Sequence, residues 1–219
     1  MSADRCRCGR FDGRQLDLVN VHNLTVKGGK GCSIIVAPRY ACVHSLYGCS
    51  NIRLENLTLG HTEEGYCEGS VIYVEGSEAT VIADCDLYGC RTYGVEGRNC
   101  HGLVTERSII RDCSYGIVSL QACQYFTFRN CDIYRCREFG LIEADEECIG
   151  LRFDACRFAQ NTGALFANRG IVTLDDCEIY HAGDAGSGAA LIEYKGGKTR
   201  WSAEDKPLTK HLIGPSKTE

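Results

Sequence analysis

The sequence predicts an all-β fold: a parallel β-solenoid of about six to seven coils, with three short strands in each. Three observations predict it. First, Leu57, Cys85, Ser108, Cys131, Cys156 and Cys177 recur at steps of 28, 23, 23, 25 and 21 residues, the self-similarity of a stacked repeat. Second, other columns drift with this one. Two positions after each member lies an apolar residue: Leu59, Leu87, Ile110, Ile133, Phe158 and Ile179. Third, a period of two is broken once per repeat. Phe126 and Phe128 are two apart, as are Cys131 and Ile133, but Phe128 and Cys131 are three apart. Strand side chains alternate faces, so a one-residue corner must absorb the extra position if both pairs point inward.

The elements follow in chain order. Residues 1–15 are expected to be a polar N-terminal segment. They lack the apolar centre of a secretory signal, which suggests a cytoplasmic protein. Residues 16–195 are expected to form the solenoid, opening with an irregular coil in which NLTVKG (23–28) echoes NLTLGH (56–61). Each corner falls just before the cysteine column, at Asn56, Asp84, Arg107, Asn130, Ala155 and Asp176. Asn and Asp, which fill four of those six places, enter the left-handed region most easily. A third segment then follows a turn: SVIYV (70–74), YGVEG (93–97), YGIVSL (115–120), FGLIEA (139–144), GALFA (163–167) and AALIEY (189–194). Residues 196–219 lose the period and are expected to be a C-terminal cap or tail, Trp201 and HLI (211–213) being the residues that would fold back over the open edge of the last coil.

Sixteen cysteines in 219 residues admit three readings: disulfides, metal ligands or small interior residues. The spacing favours the last. Cys131 falls between Ser108 and Cys156 in one column, and Cys136 between Cys113 and Asn161 in another. Stacked Cβ atoms about 4.8 Å apart are too distant for a disulfide. Isolated pairs do not converge on a four-ligand centre, so no metal and no cofactor is expected. Cys6 and Cys8 lie outside the columns; they suit a metal or redox role better than the column cysteines do, but a disordered tail is the leading expectation. A formal charge of −5 argues against nucleic acid as a partner. No apolar run approaches a membrane span.

Laid out this way, the passage APRYACVHSLYGCSNIRLENLTLGHTEEGYCEGSVIYVEG (37–76) and the coils CDLYGC and IRDCSYGI carry a resemblance. The chain resembles a bacterial group of right-handed parallel β-helix repeat proteins within the pectin-lyase-like superfamily, over about residues 16 to 182. The resemblance implies a right-handed fold. It also implies that the face of the third segment is where polysaccharide-active relatives carry their cleft. The fold serves lyases, hydrolases, epimerases, adhesins and scaffolds alike, so function must be argued from the site. This chain lacks a proline found after the paired glutamates of that group, and long turn insertions.

Two features qualify as sites. The segment GHTEEGYCEG (60–69) makes its coil about five residues longer than its neighbours, and loops on rigid scaffolds concentrate function. His61, Glu63, Glu64 and Tyr66 are its ligand-binding candidates. The second feature is an acidic row on the third segment: Glu75, Glu96, Glu143 and Glu193, with Ser119 between the middle two. In an enzyme, Glu75, Glu96 and Glu143 would be the catalytic carboxylates. Counted from the preceding glycine, Glu96 is two positions on and Glu143 three, so a shared face is an open question. The leading expectation is a non-catalytic module presenting this face and loop to a protein or a polar or carbohydrate ligand. The alternatives are a small polysaccharide lyase or glycosidase, and a structural solenoid that forms homo-oligomers through a terminal coil.

Overall fold

The computed structural model describes residues 10–13, 15–36, 41–61, 69–89 and 93–208. They form three parallel sheets wound as about seven coils. Sheet A has nine strands, from Arg10–Gly13 to Arg200–Ser202; sheet B has six, from Leu16–Val19 to Ile142–Ala144; sheet C has eight, from His22–Lys27 to Ile192–Lys195. The chain visits A, B and C in turn, and each strand pairs with its counterpart one coil on.

The inward columns predicted from the sequence are the core. Ile52, Leu54, Leu103, Thr105, Phe126 and Phe128 are all buried. Phe128 lies flat on Phe153 one coil later, ring centres 4.8 Å apart. All six predicted corner residues, from Asn56 (φ 55°) to Asp176 (φ 51°), are left-handed, including Arg107 (47°) and Ala155 (51°). The same device recurs at both other corners. Gly48, Gly76, Asn99 and Ala122 precede Cys49, Ser77, Cys100 and Cys123; Asp112, Arg135 and Gln160 precede Cys113, Cys136 and Asn161; all seven have positive φ.

A left-handed corner turns a backbone N–H away from the sheet ladder, and the next residue's partner on the following coil receives it. The Cys49 N–H donates to Ser77 Oγ (2.9 Å), Cys85 N–H to Ser108 Oγ (3.1 Å), Cys136 N–H to Asn161 Oδ1 (3.0 Å) and Cys123 N–H to Cys148 Sγ (3.4 Å). The thiols also donate, as from Cys131 Sγ to the carbonyls of Thr105 and Arg129, both 3.4 Å. Cysteine, serine and asparagine interchange here because each is small and both accepts and donates. The twelve cysteines among the described residues are free thiols.

The ends depart from expectation. Strand pairing runs past residues 16 and 195, since Arg10–Gly13 pairs with Ser33–Val36 and Arg200–Ser202 with Glu178–Tyr180. Trp201 is therefore a member of the last rung, against Phe166 at 6.0 Å, rather than a lid over it. Beyond it the chain turns back along the outside of sheet A, where Leu208 packs on a cluster of Ile109, Tyr134 and Ala159. Residues 211–213 lie outside the described residues, as do Cys6 and Cys8. The segment 189–194 is not a sixth copy of the third segment: Ile192–Lys195 pairs with Val172–Asp175 in sheet C, and a short 3-10 helix, Ser187–Leu191, precedes it.

Candidate functional site

The outer face of sheet B gathers the polar and aromatic side chains that the core does not use. Its central column runs Asp17, Ser45, Tyr73, Glu96, Ser119, Glu143, one residue per coil. The next column runs Val19, Tyr47, Glu75, Arg98, Gln121. The predicted acidic row is thus partly assembled. Glu96 and Glu143 share a column through Ser119, two coils or about 10 Å apart. Glu75 stands in the neighbouring column beside Arg98, and Glu193 pairs with Thr173 in sheet C, so neither belongs to the row.

Each carboxylate on this face is held. Ser70 Oγ donates to Glu96 at 2.6 Å and the Arg98 guanidinium at 3.1 Å. The Tyr73 hydroxyl donates to Glu75 at 2.8 Å. The Tyr93 hydroxyl donates to Glu143 at 2.9 Å, although Glu143 lies two coils further on. Gly116 makes that reach possible: a Cβ there would sit 2.9 Å from the Tyr93 ring. Burial, then the Glu143 charge, pushes the Tyr93 phenol above its ordinary range; burial and the bond to Glu75 do the same for Tyr73. Both therefore remain protonated donors at neutral pH.

The aromatic residues were not anticipated as a set. Tyr47, Tyr73, Tyr93, Tyr115 and Phe139 come from five successive coils. Tyr47 and Tyr73 are 5.7 Å apart, Tyr93 and Tyr115 6.3 Å, Tyr115 and Phe139 5.2 Å. The line crosses the face diagonally, from the corner with sheet C toward the junction with sheet A. Arg98 lies over the Tyr73 ring at 5.8 Å. The signal is present in the sequence as one aromatic per repeat, at a position that shifts backward from Tyr47 to Tyr115 and then holds at Phe139, which lies four residues before Glu143 as Tyr115 lies four before Ser119.

Of the loop residues, Glu63, Glu64 and Tyr66 lie outside the described residues. His61 is 1% exposed, with Nε2 at 2.9 Å from the Ala41 carbonyl, so it braces the junction of sheets A and B rather than facing a ligand. Its burial lowers its basicity. His44 is fully buried in the inward column of sheet B, between Leu16 and Ile72. Among the described residues, no group of three or more His, Cys, Asp or Glu could hold a metal ion. No helix there is long and apolar enough to cross a membrane.

The model of the right-handed β-helix region matches residues 11–141 and 41–199, overlapping spans that together cover the coils just described. The chain belongs to the right-handed β-helix family. No curated protein matches this β-helix. Among solved structures it is similar to a "putative glycosyl hydrolase" from Parabacteroides merdae, at 11% identity over 88% of this chain and 80% of that one, with a TM-score of 0.38. It is also similar to QnrB1, a plasmid-mediated fluoroquinolone resistance protein, at 10% identity over 86% of this chain and 92% of that one, with a TM-score of 0.24.

Proposed function

We propose that this β-helix is a non-catalytic binding module whose sheet B face takes an extended, polyhydroxylated chain, a glycan. The observation that carries the reading is the diagonal of five aromatic side chains interleaved with fixed polar groups. Aromatic rings offer large apolar faces to the C–H faces of sugar rings. Between them, Glu75, Glu96, Glu143, Arg98, Ser119 and Gln121 offer acceptors and donors for hydroxyls. Sites of this kind gain specificity from a few well-placed polar groups beside apolar surface.

The carboxylates favour binding over chemistry. Glu96 is tied to an arginine and a serine. Glu143 is likewise tied, to the Tyr93 hydroxyl. Residues 60–69 end beside this face, because Ser70 bonds Glu96 on it. Glu63, Glu64 and Tyr66 are accordingly proposed as further contacts.

A panel of immobilised glycans tests the reading. Tyr73→Ala with Tyr93→Ala should remove most binding while the protein stays folded. Glu63, Glu64 and Tyr66 changed together to alanine should weaken it. Release of new sugar ends by the wild type, abolished by Glu96→Gln with Glu143→Gln, would replace the binding reading with a glycosidase or lyase.

A further inference from the structure

A second site sits around the corner from that face. Between sheets B and C one left-handed residue per coil forms a column: Asn20, Gly48, Gly76, Asn99, Ala122, with φ from 51° to 59°. At two successive coils the occupant is glycine. Asn20 Oδ1 fills the place of a Gly48 side chain, but the space beside Gly76 is open, and a shallow notch of about 260 Å³ lies there, room for on the order of nine waters or one small ring. A Cβ on Gly76 would meet nothing within 4 Å.

The wall on the sheet C side is a single column, His22, Ser50, Glu78, His101, in register coil by coil. Its members stand about 4.8 Å apart. His22 Nδ1 and Ser50 Oγ are hydrogen-bonded at 2.7 Å. His101 meets the edge of Tyr125 at 5.2 Å. Glu78 differs from the other glutamates of these coils. Glu55 is bound by Lys27 and Arg53, Glu75 by Tyr73, Glu96 by Arg98, and Glu106 by Arg107. The Glu78 carboxylate has no hydrogen bond or ion pair to any described residue, and it opens onto the notch.

The notch therefore offers a carboxylate with no partner among the described residues, flanked by a hydroxyl and two imidazoles. Its complement is a small ligand with one positive charge and several hydroxyls. We propose that the notch binds a single amino sugar bearing a free ammonium group, its nitrogen on Glu78 and its hydroxyls toward Ser50, His101 and Asn99. The choice of a sugar rests on the glycan reading of the neighbouring face. Gly76 directly follows Glu75 and Asn99 directly follows Arg98, so a glycan on that face reaches the notch with a branch or a terminal unit. The charge preference comes from Glu78 alone.

The test uses glucosamine, N-acetylglucosamine and glucose as probes in ligand-observed NMR titrations of the full chain. Glucosamine should bind about fivefold tighter than the two uncharged sugars, since a charge-assisted bond is roughly twice as strong as a neutral one. Glu78→Gln should abolish that preference. Gly76→Asn should abolish binding. Asparagine holds the same corner at 20 and 99 with φ 53° and 51°, so this variant fills the notch without straining the fold; an unchanged melting temperature checks that. Tyr73→Ala with Tyr93→Ala should leave glucosamine binding intact while removing glycan binding on the sheet face. Equal affinity for all three sugars, no binding of glucosamine, or glucosamine binding unaltered in Gly76→Asn would each overturn the inference. None of those results touches the reading of the sheet face, which stands or falls with the tyrosine pair.

Discussion

At the scale of the residue, two groups in this β-helix are placed where their chemistry is constrained. His44 is fully buried, and neither ring nitrogen has a hydrogen-bond partner among the described residues. Burial lowers its pKa to about 4 from an ordinary value of 6.5. Because the folded value is the lower one, the stabilisation is complete above pH 6.5 and is lost as pH falls through 4. It amounts to about 3 kcal/mol. Thermal melts from pH 7 to pH 4 should show a steeper loss for wild type than for His44→Leu; parallel losses would remove His44 from the account. The corner thiols are the second group. Burial lifts the Cys85 thiol to about 12, so it is inert in the native state. Because Ser77 and Ser108 perform the same bonding, Cys131→Ser should cost little, on the order of 1 kcal/mol. Cys131→Arg should prevent folding, since a buried charge there has no partner. Melts of the two variants that coincide would show that the position is not interior.

At the scale of the element, the coil is a set of short strands joined by left-handed single residues, and residue type decides the cost of each joint. Asparagine pays least after glycine; alanine pays the full penalty of about 1–2 kcal/mol. Ala155 holds φ 51°, the same as Asn130 one coil earlier. Ala155→Asn should therefore raise the melting temperature by a few degrees, and Asn130→Ala should lower it by a similar amount. Differential scanning calorimetry would decide, and a lower melting point for Ala155→Asn would refute the corner argument. The sequence made the corner at Asn56 and Asp84 readable because four of its six residues are Asn or Asp. It marked the corner between sheets B and C as well, where Asn20, Gly48, Gly76 and Asn99 precede Ala122, and it hid the corner between sheets A and B, where Arg135 and Gln160 take the same conformation with no compositional mark. The candidate site was obscured by the same ambiguity. Glycine was the wrong ruler for the third segment: Gly116 stands in register with Tyr93, not with Gly94. Measured from that register, Glu96 and Glu143 fall in one column. Glu193 looked like a further member because AALIEY has the pattern of the segment, yet its strand belongs to sheet C. The notch was not legible, because a glycine just before the column of Cys49, Ser77, Cys100 and Cys123 reads as a turn residue, and nothing in the pattern says that the space beside Gly76 stays open.

At the scale of the whole molecule, stability is a sum over neighbouring coils. Leu18, Val21, Leu24 and Val26 of the first coil point inward but are only partly buried, whereas Phe126, Phe128 and Cys131 in the middle are covered from both sides. Opening free energy should therefore rise from the N-terminal coil to the centre. Hydrogen exchange followed by mass spectrometry should show 22–27 exchanging well before 124–129, and uniform protection would contradict this. The register has a mechanical consequence. The covalent chain runs around the circumference, while the backbone hydrogen bonds that join one turn to the next run along the axis. A tensile load applied between the two ends is therefore carried by the hydrogen bonds of a single junction at a time. The molecule should behave as a wound spool: its terminal turn yields first, and each turn of 23 residues pays out about 80 Å of slack before the next junction takes up the strain.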